Sequence, residues 1–135
     1  MRCDAFRRAA EALDVDATMA TLSPDVVLRS PVREEPLRGR ESVTRLFAIL
    51  FRAFDDLRFT EAYASDEGGE LLHFTWRLGK QEAEGVDMMH FDEAGLIDDY
   101  RVMVRPLSAV IALRDAVFSQ LSGRRPPPGP PPSHG

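Results

Sequence analysis

The sequence predicts an α+β domain in which a curved antiparallel sheet wraps over helices. Two observations carry this. Apolar residues recur at helical spacing in two stretches before residue 55 and in one after residue 105. Between those limits four strand-like runs follow one another, separated by short turn signals. Strands in succession with helices on one side make an α+β arrangement.

The first helix is predicted over Asp4 to Thr21, where Phe6, Ala9, Ala10, Leu13, Ala17 and Ala20 recur at helical spacing. Leu22-Ser23-Pro24 ends it. Val26 to Val32 alternates as a short strand that breaks at Pro31. Gly39 introduces a second helix, near Arg40 to Phe54, with Glu41 in its first turn, where a carboxylate suits the helix dipole. Val43, Leu46, Phe47, Leu50, Phe51 and Phe54 form one wide apolar stripe. Strands are predicted at Leu57 to Ala64, Glu70 to Leu78, Glu84 to Phe91 and Leu96 to Val104. Turns fall at Ser65 to Gly69, Leu78 to Gln81 and Asp92 to Gly95, the last a tight hairpin with Gly95 at positive φ. Pro106 opens a final helix. On it, Leu107, Val110, Ile111, Val117, Phe118 and Leu121 are predicted to face one way, with Gly123 as the C-terminal cap. The long strands must curve around the aromatic second helix. The concave apolar face left behind is a ligand-pocket candidate.

The chain is 135 residues, 44% hydrophobic and 29% charged, which fits one soluble domain able to bury its own core. Residues 1–123 are assigned to that domain. Residues 124–135 hold six of the ten prolines and are predicted to form an extended, disordered tail. Arg124, Pro127 and Pro130 match an Arg-x-x-Pro-x-x-Pro ligand pattern, which is cheap in so biased a segment. The formal charge is −5, and every acid lies before the tail. That excess of acid argues against a nucleic-acid partner and against docking on an anionic membrane. A single cysteine, Cys3, excludes an internal disulfide framework and a cysteine-rich zinc site. No secretory signal and no membrane-length apolar run is visible, so the expected location is cytoplasmic.

Asp25 to Val43 (DVVLRSPVREEPLRGRESV) reads as a strand, a Pro-containing bend and a Gly-Arg-Glu helix start. Gly85 to Val104 (GVDMMHFDEAGLIDDYRVMV) reads as an acid in a strand, a Gly hairpin and a closing strand. Asp25 to Val43 and Gly85 to Val104 together resemble the nuclear transport factor 2-like superfamily, and within it the SnoaL-like polyketide cyclases and ketosteroid isomerases. The resemblance implies a cystatin-like roll, a cone of curved antiparallel sheet around helices, commonly dimeric. Element order agrees over about Asp4 to Pro106.

Alternation then sorts the strands into faces. With Asp87 inward, Gly85, Met89 and Phe91 are inward too, and Met88 and His90 face out. Leu72, Phe74, Trp76, Tyr100, Val102 and Val104 are expected inward, and His73, Thr75, Arg77, Arg101, Met103 and Arg105 outward. Asp87 resembles the oxyanion-stabilising aspartate of the isomerases. An acid in an apolar site resists ionisation and can donate a hydrogen bond to a carbonyl oxygen, or act as general acid or base. The bland alternative is a buried Asp satisfied by its neighbours.

Other isomerase groups are absent. The family's general base falls at Ser30, which does not shuttle protons at neutral pH, and its oxyanion tyrosine falls at Phe6. The base of SnoaL-like cyclases falls near Val102. Tyr100 is the second catalytic candidate, its phenol binding a ligand oxygen beside Asp87. Ser30, Phe47, Phe51, Phe74, Trp76, Met89, Val102 and Val104 are the candidate substrate-binding residues. His73 and His90 are expected to be structural, and His90-Phe91-Asp92 lacks a third metal ligand. Asp98-Asp99 reads as a solvated pair.

The resemblance therefore implies a cofactor-independent, metal-free cyclase, isomerase or dehydratase acting on an apolar carbonyl compound of polyketide or terpenoid type. The competing reading is a non-catalytic ligand-binding or dimeric scaffold protein. Met88, His90, Met103 and Leu71 on the outer face suit a homodimer.

Overall fold

The computed structural model describes residues 1–122 of the chain. The predicted first helix is two: α1 (Asp4–Glu11) and α2 (Val15–Met19). Leu13 breaks the run at φ 55°. Asp14 then caps α2, its side chain accepting from the Ala17 amide at 3.0 Å. Helical spacing of alanines continues across this break, so periodicity alone hides it.

Strand β1 (Leu22–Arg29) begins four residues earlier than alternation suggests and includes Pro24. A register shift between Leu22 and Val27 accommodates the proline, whose missing N–H would otherwise interrupt the ladder. The two-residue strand β2 (Leu37–Arg38) was not foreseen, and helix α3 (Arg40–Ala53) lies where predicted. Strands β3 (Asp56–Ala64), β4 (Glu70–Leu78), β5 (Gln81–Phe91) and β6 (Ile97–Arg105) follow. β5 starts at Gln81 rather than Glu84 because Gly79, at φ 61°, turns the chain so tightly that Leu78 pairs with Gln81. Gly95 takes φ 83° at the β5–β6 hairpin.

The six strands form one curved sheet in the order β2-β1-β6-β5-β4-β3. β3 to β6 are an antiparallel meander, and β1 joins β6 in parallel. Helices cover the concave side, where Phe6, Leu22, Val26, Leu28, Val43, Leu72 and Ile97 are almost wholly buried. Each such side chain contributes about 1.5–3 kcal/mol relative to exposure.

Helix α4 (Leu107–Ser122) follows Pro106. Its buried side follows the predicted stripe only in part: Val117 packs against the core. Ala109 and Leu113 are buried, whereas Leu107 is 70% exposed and Phe118 36%. The helix is apolar on several faces, so its sequence does not select one. The side chain of Leu121, the Gly123 cap and the proline-rich tail lie outside the described residues. Among the described residues no helix is long and apolar enough to cross a membrane.

Candidate functional site

Strand β5 alternates cleanly. Ala83, Gly85, Asp87, Met89 and Phe91 are buried on the concave side, and Met88 and His90 are exposed on the outer side. Register places Asp87 opposite Leu72 on β4 and Val102 on β6. Tyr100 pairs with Met89, so Tyr100 is a diagonal neighbour of Asp87 on the same face, within reach of a long side chain. Phe74 pairs with Gly85 and flanks Asp87 from β4. Gly85 is required there. A Cβ would lie 2.6 Å from the Phe74 ring and 2.2 Å from the Met103 carbonyl oxygen.

Asp87 and Tyr100 are each 3% exposed. Burial pushes the Asp87 carboxyl up to about 7, while a hydrogen bond from the Tyr100 phenol pulls it part of the way down. Burial and the neighbouring Asp87 raise the Tyr100 phenol well above its usual range. Near neutrality the carboxyl therefore exists in both forms and can accept or return a proton. The phenol remains a donor.

Both groups open onto a cavity of about 70 Å³ between the sheet, α3 and α4. Eight aromatic rings line it, those of Phe6, Phe47, Phe51, Phe54, Phe59, Phe74, Trp76 and Tyr100. Phe47 and Phe51 stack at 5.4 Å, and Phe6 and Phe47 pack against Tyr100 at 5.4 and 5.8 Å. Ser30, Asp87 and Tyr100 are the polar lining residues among those described. Ser30 sits just beyond β1, and its hydroxyl accepts from the Val32 amide at 3.2 Å, shaping the bend as it faces the cavity.

The structure thus brings together Asp87, Tyr100, Ser30, Phe47, Phe51, Phe74, Trp76, Val102 and Val104. Met89 is the exception among the sequence candidates. It is buried but does not line the cavity. It pairs with Glu70, whose carboxylate accepts from the Arg2 and Cys3 amides at 3.0 and 2.9 Å, and so lies at the end of the sheet tied to the N-terminus. Leu113 and Val117 of α4 also line the cavity. Leu113 had no signal in the sequence. Phe54 and Phe59 had one, in the α3 stripe and in the alternation of β3.

The outer face carries a different chemistry. His73 Nε2 lies 2.8 Å from Glu84 Oε1, its Nδ1 lies 2.5 Å from Thr60 Oγ1, and Arg105 donates to Glu84 at 2.7 Å. Hydrogen bonds from His73 and then Arg105 hold Glu84 below the usual carboxylate range. His90 Nδ1 lies 2.6 Å from Asp98, which raises the imidazole pKa, and Asp99 pairs with Arg29 at 3.2 Å. The two aspartates are therefore partnered rather than simply solvated. Among the described residues no group of three or more His, Cys, Asp or Glu side chains is placed to hold a metal ion.

The SnoaL-like domain matches the chain over residues 3–100. No curated protein matches it. A steroid delta-isomerase from Pseudomonas aeruginosa is 31% identical and superposes with a TM-score of 0.83 over 90% of either chain. An uncharacterized cystatin-like protein from Silicibacter pomeroyi DSS-3 is 27% identical, with a TM-score of 0.83 over 89% of this chain and 84% of its own. A nuclear transport factor 2-like protein of unknown function from Burkholderia xenovorans LB400 shares the fold at 17% identity, with a TM-score of 0.65 over 76% of this chain and 79% of its own.

Proposed function

The chain belongs to the SnoaL-like domain family of the nuclear transport factor 2-like superfamily, and from that premise we propose that it is a cofactor-independent proton-transfer enzyme acting on a small apolar carbonyl compound. One observation supports this above the others. An aromatic cavity contains a carboxyl that titrates near neutrality beside a phenol that does not. A base with a pKa near the working pH is well suited to moving a proton.

The chemistry is a 1,3-shift. The Asp87 carboxylate removes a proton from the carbon between a carbonyl and a double bond. The Tyr100 phenol hydrogen-bonds the oxygen on which negative charge develops. The protonated Asp87 then returns the proton at the far end of the conjugated system. Bonds and charges balance, and no other reagent is consumed. Phe6 offers no donor and Ser30 no base, so Asp87 and Tyr100 carry both roles. With the enolate carbon attacking a second carbonyl of the same molecule, and protonated Asp87 giving its proton to the new alkoxide, the same groups serve cyclisation; with protonated Asp87 giving its proton to a β-hydroxyl that leaves as water, they serve dehydration of polyketide- or terpenoid-like compounds.

Isomerisation of 3-cyclohexenone to its conjugated isomer, followed by ultraviolet absorbance, tests the reading. The wild-type rate is expected to rise with pH through about 7 as Asp87 ionises. An unchanged rate in Asp87→Asn would sink it. A rate that falls with pH would instead assign Asp87 the role of neutral oxyanion donor.

Ser30 and Phe6 at the family's base and tyrosine positions favour a second reading, a binding protein without turnover. Binding of 2-cyclohexenone with no conversion of 3-cyclohexenone would establish it. Either way, the outer sheet face is proposed to pair two copies of the chain. Tyr63, Leu71 and Met88 form one cross-strand row there, with Met103 beside it. A monomer in analytical ultracentrifugation would refute that pairing.

A further inference from the structure

We propose that the cavity is also a binding site for small hydrophobic amines, held as ammonium ions against Asp87. The inference concerns binding and needs no turnover, so it stands or falls apart from the isomerase reading.

Charge is the first argument. Among the described residues no Lys, Arg or His lines the cavity, and no charged neighbour acts on the Asp87 carboxyl. A buried carboxyl without a cation is driven toward its neutral form, and a ligand that brings its own positive charge reverses that. The wall is the second. Phe74 from β4 and Tyr100 from β6 flank Asp87 diagonally, and Phe6 and Phe47 pack on Tyr100. Aromatic rings present a negative face and attract cations. Polarity is the third. The lining side chains are apolar apart from Ser30, Asp87, Tyr100 and the indole N–H of Trp76, which suits one charged nitrogen on an apolar body. A tertiary amine fits better than a primary one, because it has fewer N–H groups to strip of water.

The pH dependence follows from the groups around Asp87. β6 presents Tyr100, the one titratable neighbour among the described residues. β4 presents Leu72 and Phe74, α1 Phe6 and α3 Phe47, none of which titrates. Amine affinity should therefore track ionisation of Asp87 alone across neutrality.

Calorimetry on the full chain with N,N-dimethylbenzylamine and the neutral benzyl methyl ether is the test, at pH 6 and pH 8 and in buffers of different ionisation enthalpy. Wild type is expected to bind the amine about tenfold more tightly at pH 8 than at pH 6, the ratio of the ionised fractions of a carboxyl with its midpoint near 7. At pH 6 it should release close to one proton per amine bound. Asp87→Asn should lose the amine affinity at least tenfold and keep the ether, which also reports that the variant is folded. Amine affinity that is flat or rises toward pH 6, absence of proton release, or an unchanged amine affinity in Asp87→Asn would overturn the proposal. The proton-release measurement uses wild type alone and decides the matter if the variant fails to fold.

Discussion

Asp87 and Glu84 stand three residues apart on one strand and face opposite worlds. Asp87 points into an aromatic cavity, where burial lifts its carboxyl to about 7. Glu84 points to the outer face, where His73 and Arg105 hold it ionised. The odd spacing sends them to opposite faces of the pleat. What differs is the supply of donors and water, and that supply decides whether a carboxyl titrates near neutrality or stays ionised as half of an ion pair. The outer pair is solvated and of the kind that contributes little to stability. The inner carboxyl is costly when ionised, and a cost of that kind often marks a site of function.

Removing each carboxyl sharpens the contrast, and the largest expected effect is on turnover. Asp87→Asn should lower the rate of enone isomerisation by roughly 10²–10⁴, the usual contribution of general acid–base catalysis. Glu84→Gln should leave it within about twofold, since that carboxylate never meets the cavity; a matching loss in both variants would break the distinction.

The next effect is on packing. Phe47 is 5% exposed and contacts Phe6, Phe51 and Tyr100. Phe47→Ala should cost about 3–5 kcal/mol in urea denaturation, whereas Glu82→Ala, exposed on the outer side of β5, should stay within about 0.5 kcal/mol.

Stability against pH separates the two carboxyls by sign. The fold favours neutral Asp87, so its contribution is full below the ordinary aspartate value of 3.8 and is lost as pH rises through about 7. That loss is roughly 4 kcal/mol at the scale of 1.36 kcal/mol per unit. Asp87→Asn should remove it and be more stable than wild type at pH 8. Glu84 behaves in the opposite sense. Its contribution is present above 4.5 and lost as pH falls through its lowered value. Glu84→Gln should flatten only the acid limb of the melting-temperature profile, the smallest effect of the series.

The legible parts of the fold were those with one dominant local pattern. Strand β4 reads as ELLHFTWRL, and its alternation fixes both its ends and its faces. The α3 stripe does the same for the second helix. Where two patterns competed, the sequence misled. Alanines kept helical spacing across the Leu13 break, and α4 offered apolar residues on too many sides to say that Ala109 and Leu113 face inward. The candidate site was legible through β5 alternation, which placed Asp87 among aromatic rings. Its full lining was not, because Leu113 reaches the cavity only through the way α4 packs over the sheet, and Met89, though inward, sits beside Glu70 at the end of β4 and outside the lining. The ionisation of Asp87 depends on depth of burial and on Tyr100 one strand away, neither of which a local pattern encodes.

The most direct measurement is the titration of the Asp87 carboxyl carbon by NMR in ¹³C-labelled protein, assigned by comparison with Asp87→Asn. A midpoint near 7 is expected. A midpoint near 3.8, the ordinary aspartate value, would contradict the claim that this cavity holds a carboxyl poised to carry a proton.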